Sequence, residues 1–119
     1  MPNTQKIKNY LNEKVEFINE TFDDLYQNAI NPNNKDISKS EIILLSEIFS
    51  TLEAVDGFVS THDDVENLEF KSYAQEARKF YDELARLASD ETKDKSHLGQ
   101  EFENYLNKYE DVVAKISNL

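Results

Sequence analysis

The chain has 119 residues, with 24 acidic against 13 basic side chains and a formal net charge of −11. This length is expected to form one domain, and 39% apolar residues with seven Phe and six Tyr suffice for one core despite the charge. The acidity excludes a basic grip on nucleic acid or on an anionic membrane, and favours a basic partner or simple solubility.

The first predicted helix carries Ile7, Leu11, Val15, Ile18, Phe22, Leu25 and Ala29 at steps of three and four, one apolar stripe over about six turns. Asn31-Pro32-Asn33-Asn34 stops it. Ser38 and Glu41 have the spacing of a capping box for a second helix. Its stripe is Ile42, Leu45, Ile48, Phe49, Leu52, Val55, Phe58 and Val59. Ile43 and Leu44 widen it, which predicts that this helix is the most buried of the set, with Gly57 loosening its last turn.

A turn over Ser60-Thr61-His62-Asp63-Asp64 leads into a third helix, with Thr61 or Asp63 as its cap. That helix carries Val65, Leu68, Tyr73, Ala77, Phe80, Tyr81, Leu84, Leu87 and Ala88. The polar stretch Ser89–Ser96 is a break or a solvated extension. A fourth helix then carries Leu98, Phe102, Tyr105, Leu106, Tyr109, Val112, Val113 and Ile116. Four amphipathic helices with short connections predict an all-α fold, an antiparallel four-helix bundle over residues 1–119.

The charge is uneven. Residues 41–70 contain no Lys or Arg and eight acids: Glu41, Glu47, Glu53, Asp56, Asp63, Asp64, Glu66 and Glu69. The last six cluster where the second helix ends and the third begins, so one exposed negative corner is expected. Nothing nearby in the sequence neutralises it, and like charges so crowded repel. A surface of this kind steers towards a basic partner. Phe58 and Phe70 flank the corner and could supply an apolar centre, and Tyr10, Tyr26, Tyr73 and Tyr81 could present hydroxyls at the bundle rim. The stripe Phe102, Tyr105 and Tyr109 fits core spacing better than a stacking platform.

Catalytic and metal chemistry find little support. The chain has no cysteine, hence no disulfide, thiol nucleophile or Cys-based metal site. His62 and His97 belong to no zinc or di-iron motif, and Asp94-Lys95-Ser96-His97 is a lone weak match. His62 beside Asp63 and Asp64 lacks the spacing of a calcium loop. Two glycines, Gly57 and Gly99, make no phosphate loop. The expectation is therefore no enzyme, no cofactor and no metal. The longest aliphatic run, Ile42-Ile43-Leu44-Leu45, is far too short to span a membrane, and no signal-peptide core opens the chain, so a cytoplasmic protein is expected.

The run Glu47-Ile48-Phe49-Ser50-Thr51-Leu52-Glu53-Ala54-Val55-Asp56-Gly57-Phe58, followed by Leu68-Glu69-Phe70-Lys71-Ser72-Tyr73-Ala74-Gln75-Glu76-Ala77, resembles the bacterial self-protective colicin-like immunity proteins. That is the group of the inhibitor of the tRNA-cleaving colicin D toxin. Tyr10-Leu11-Asn12-Glu13-Lys14-Val15-Glu16-Phe17 resembles the group's opening. The likeness covers about residues 7–88, and the fourth helix is longer than the group's pattern. The resemblance implies a small acidic bundle that binds a basic nuclease toxin and blocks its RNA-binding cleft. Glu53, Asp56, Asp63, Asp64, Glu66 and Glu69 would stand where phosphates lie. A phage-encoded inhibitor of a host defence nuclease would use the same physics. An assembly or chaperone-like module, homodimeric through Ile43 and Leu44, is the alternative of a different class.

Overall fold

The computed structural model describes residues 2–30, 39–62, 68–89 and 95–119. They form four helices: α1 (Pro2–Ile30), α2 (Lys39–Ser60), α3 (Leu68–Ser89) and α4 (Leu98–Ser117). Each helix packs on the next and α4 closes back on α1, which makes a four-membered ring about 50 Å long. Tyr10 meets Phe58, Phe49 meets Tyr81, Phe80 meets Phe102 and Tyr26 meets Phe102. Tyr10–Phe58 and Tyr26–Phe102 join an early position on one helix to a late one on its neighbour, and Phe49–Tyr81 with Arg78–Asp56 pairs later α2 positions with earlier α3 ones, so the bundle is antiparallel, up-down-up-down.

The apolar stripes decide the helix rotations. Leu11, Val15, Ile18, Phe22, Leu25 and Ala29 of α1 are buried, as are Leu45, Ile48, Leu52, Val55 and Val59 of α2. They share one core with Phe70, Tyr73, Ala77, Phe80, Leu84 and Leu87 of α3 and Leu98, Phe102, Tyr105, Val112 and Ile116 of α4. Aromatic rings fill its middle. Phe22 reaches across the ring to Phe80, edge-on at 4.9 Å, and stands edge-on to Tyr105 at the same distance.

α2 is not the most buried helix. Ile42 is 47%, Ile43 60% and Phe49 45% exposed. A helix in a four-membered ring turns only about a third of its circumference to the core. On α2 the row from Leu45 to Val59 occupies that arc. Ile42 and Phe49, seven residues apart, fall together on the flank towards α3, and Ile43 points outwards. A run of four consecutive aliphatic residues cannot all face one core from a helix.

Tyr73 is not a rim residue. It is fully buried, and its hydroxyl lies 3.4 Å from that of Tyr105. Tyr10, Tyr26 and Tyr81 are half-buried against the core. Phe70 is buried too, which removes it as an exposed anchor.

The helix ends differ from expectation in one respect. Thr61 completes α2 rather than starting α3, since its hydroxyl donates to the carbonyls of Gly57 at 3.1 Å and Phe58 at 3.1 Å. Ser60 also bonds the Gly57 carbonyl, at 3.0 Å. These bonds satisfy the free carbonyls of the last turn, so α2 continues through Gly57 to Ser60. The Ser38 capping box, Asp63 as a cap, and Val65 lie outside the described residues. At the opposite end of the bundle the Lys95 ammonium donates to the Ala29 carbonyl. A cation there complements the negative end of α1 and ties the start of α4 to it. Among the described residues, no helix is long and apolar enough to cross a membrane.

Candidate functional site

Of the seven candidate site residues, the structure describes the side chains of Glu53, Asp56 and Phe58. Asp63, Asp64 and Glu66 lie outside the described residues. Glu69 belongs to the first turn of α3, and its side chain is likewise not described.

Glu53 and Asp56 are exposed, one turn apart on the flank of α2 that faces α3. They are not left without a cation. Arg78 of α3 reaches across and bridges both, its Nη1 2.8 Å from Glu53 Oε1 and its Nη2 2.5 Å from Asp56 Oδ2. These bonds hold the guanidinium charged, Asp56 foremost, and raise its pKa further above its ordinary value. Lys71 also reaches this corner, lining a cleft of about 370 Å³ with Glu53, Asp56, Ser60 and Phe70. The base-free stretch of sequence is thus not base-free in space, because the α2–α3 hairpin folds the cations of α3 against it.

The arginine bridge is half in water, with about a third of Arg78 and about half of each carboxylate exposed. Ion pairs this wet contribute little, roughly 0.2–1 kcal/mol each. Arg78→Ala is expected to lower stability by about 1 kcal/mol or less, and most of that loss should vanish in high salt. Urea titrations at two salt concentrations check this. An equal loss at both would mean that Arg78 acts through packing of its aliphatic stem.

Phe58 is half-buried at the end of α2, in a stack of three rings. Tyr10 of α1 lies against one face at 4.6 Å and 27°, and His62 lies against it at 4.0 Å and 17°. The His62 Nδ1 is 2.7 Å from the Phe58 carbonyl, a geometry in which that nitrogen carries the hydrogen and donates. His62 therefore helps close the last turn of α2. A shallow cleft of about 250 Å³ opens beside this stack, between Lys6, Ile7 and Tyr10 on one side and Phe58 and His62 on the other. His97 occupies the N-cap position of α4 without a side-chain capping bond. Among the described residues, no three acidic or histidine side chains converge as a metal site would require.

Sequence spacing missed two features. The first is Arg78, whose partners lie more than twenty residues away; antiparallel register about the α2–α3 connection is the signal that would have found it. The second is a groove of about 570 Å³ between α1 and α2, lined by Glu13, Lys14 and Phe17 from α1 and by Ile43, Glu47 and Ser50 from α2. Its signal was the surplus of aliphatic residues at the start of α2.

The chain matches no family model, no curated protein and no solved structure.

Proposed function

We propose that the chain is an acidic helical inhibitor that binds and blocks a basic nucleic-acid-handling protein. The form of this function implied by the resemblance is an immunity protein against a nuclease toxin. A phage-encoded inhibitor of a host defence nuclease would act in the same way. The observation that carries the proposal is the concentration of eight acids and no base in residues 41–70. Carboxylates concentrated in one stretch of the chain steer a Lys- and Arg-lined cleft into contact, at rates that fall with salt. They occupy the positions that backbone phosphates would take, while the chain itself makes no direct contact with nucleic acid or membrane. The Arg78 bridge spends part of the negative field of Glu53 and Asp56 internally. On this reading Asp63, Asp64, Glu66 and Glu69 carry the main burden of charge recognition.

The test is coexpression and binding with the product of the neighbouring reading frame. A Lys-rich nuclease domain there should be neutralised, with growth restored. The triple reversal Asp63→Lys, Asp64→Lys and Glu66→Lys is expected to weaken binding about 100-fold or more, close to 3 kcal/mol. Helicity and melting should stay unchanged. Undiminished binding by the triple variant overturns the proposal.

A second reading, a self-assembling module, is favoured by the exposure of Ile42, Ile43 and Phe49 on α2. It requires a concentration-dependent oligomer in sedimentation that Ile43→Glu abolishes. A strict monomer removes it.

A further inference from the structure

We propose that the groove between α1 and α2 is the docking site for an amphipathic helix of the basic partner, one that carries aliphatic residues on one face and Lys or Arg on its flanks. This rests on the preceding reading that the partner is basic, and it assigns the contact to a face separate from the acidic corner.

The groove exists because of the residues that α2 turns outwards. Ile43 and Ser50, seven positions apart, lie on one outward row of the helix, with Glu47 between them. The small serine leaves space against α1 where a larger side chain would close it. Phe17, half-buried against the core, supplies the α1 side of an apolar floor, and Ile43, 60% exposed, supplies the α2 side. Phe17 and Ile43 are the apolar members of a lining that also includes Ser46, Ser50 and Thr51, a floor on which an aliphatic anchor of an amphipathic helix can seat.

The walls decide the charge of the occupant. Glu13 on α1 and Glu47 on α2 are both exposed and stand on opposite sides of the floor. The cation among the groove residues, Lys14, has its ammonium 5.5 Å from the centre of the Tyr10 ring. The aromatic face thus holds that charge one turn towards the start of α1. What remains is carboxylate on both sides of the floor. A Leu- or Ile-bearing helix flanked by Lys or Arg matches it in both properties.

A second copy of the chain matches the floor but not the walls. It would carry a charge of −11 against −11. Like charges facing each other across an interface oppose association. The complementary occupant is therefore basic.

The probe is a synthetic amphipathic peptide with leucines on one helical face and lysines on the other. It is compared with a peptide of the same composition in which the two residue types are scrambled. Amide chemical shifts of the isotope-labelled full chain report the contact. Binding of the amphipathic peptide should move residues 13–17 and 43–50, and the scrambled peptide should bind at least tenfold more weakly. Ile43→Ser is expected to weaken binding about tenfold, and Glu47→Lys by a similar factor. Both positions are exposed, so neither change disturbs the core. Equal binding of the two peptides overturns the proposal, since charge alone would then account for it. Shifts confined to Glu53, Asp56 and residues 62–69 also overturn it, while leaving the basic-partner reading intact. Concentration-dependent shifts at the groove without peptide identify a second copy as the occupant and overturn it as well. The absence of any shift overturns the groove, and the inhibitor reading is then decided by coexpression alone.

Discussion

Replacing Phe22 by alanine is expected to cost about 4 kcal/mol and to lower the melting temperature by roughly 15 °C. Phe22 is fully buried, so no water replaces the lost ring at low cost. It packs edge-on against Phe80 of α3 and Tyr105 of α4, both at 4.9 Å, and so joins three helices. Two terms add. Removing the apolar area accounts for about 2–3 kcal/mol, and the cavity together with the lost edge-to-face contacts supplies the rest. Relaxation is limited because the neighbouring rings hold each other: Phe80 contacts Phe102 at 5.1 Å, and Phe102 stacks on Tyr26 at 4.2 Å. Phe49→Ala provides the contrast. Phe49 is nearly half exposed and meets Tyr81 at 5.7 Å, so the same truncation there should cost under about 1 kcal/mol. Chemical denaturation of both variants checks the pair. Equal losses would mean that Phe49 is a core residue and that the rotation of α2 differs from that described.

The second large effect is alkaline unfolding. Tyr73 and Tyr105 meet in the core with their hydroxyls 3.4 Å apart. Burial raises the pKa of both well above the ordinary value near 10, because a phenolate would be stranded in an apolar interior. For Tyr105 the neighbouring Tyr73 adds to the shift. Tyr109 is raised as well, by burial first and then by the negative charges of Glu16 and Glu20. The sign follows from proton linkage. Below about pH 10 both folded and unfolded chains hold these protons, and the stabilisation is fully present. Above it the unfolded chain releases them and the folded chain does not, so stability falls by up to about 1.4 kcal/mol per pH unit for each buried tyrosine. With Tyr73 and Tyr105 together, about 5 kcal/mol is lost by pH 12. Urea midpoints across the alkaline range should show that slope. The phenolate absorbance of Tyr73 and Tyr105 should appear only together with the loss of helicity. Ionisation of Tyr73 and Tyr105 near pH 10, with the helices intact, would contradict the burial of this pair. Tyr105→Phe should reduce the slope by about one proton's worth.

Much of the fold was legible in the chain. Steps of three and four among Leu11, Val15, Ile18, Phe22 and Leu25 allow only one buried face per helix, and Asn31-Pro32 and the polar run after Ser89 separate the elements. The aromatic series Phe102 and Tyr105 was readable as core for the same reason. The candidate site was less legible. Periodicity tells which residues share a face but not how far that face is rotated towards a neighbour. Periodicity therefore puts Ile42 and Phe49 on the core stripe, whereas the ring of four helices covers only the arc from Leu45 to Val59. Sequence alone offers Tyr73 as a rim hydroxyl, whereas the register between α3 and α4 sets it beside Tyr105 in the core.

The length, the charge of −11 and the spacing of apolar residues by themselves determined that the chain folds as four amphipathic helices with an acidic stretch over residues 41–70. These are properties of composition and local periodicity, which no distant contact can change. Only the tertiary structure decided what the acids meet. Arg78 is remote from Glu53 and Asp56 along the chain but adjacent across an antiparallel hairpin, and two of the corner's carboxylates share its one positive charge there. The same packing left Ile43 uncovered between Glu13 and Glu47, because four helices around one core cannot bury every apolar residue that α2 carries. Charge is a property of sequence; a field, and the surface that a partner meets, belongs to the arrangement in space.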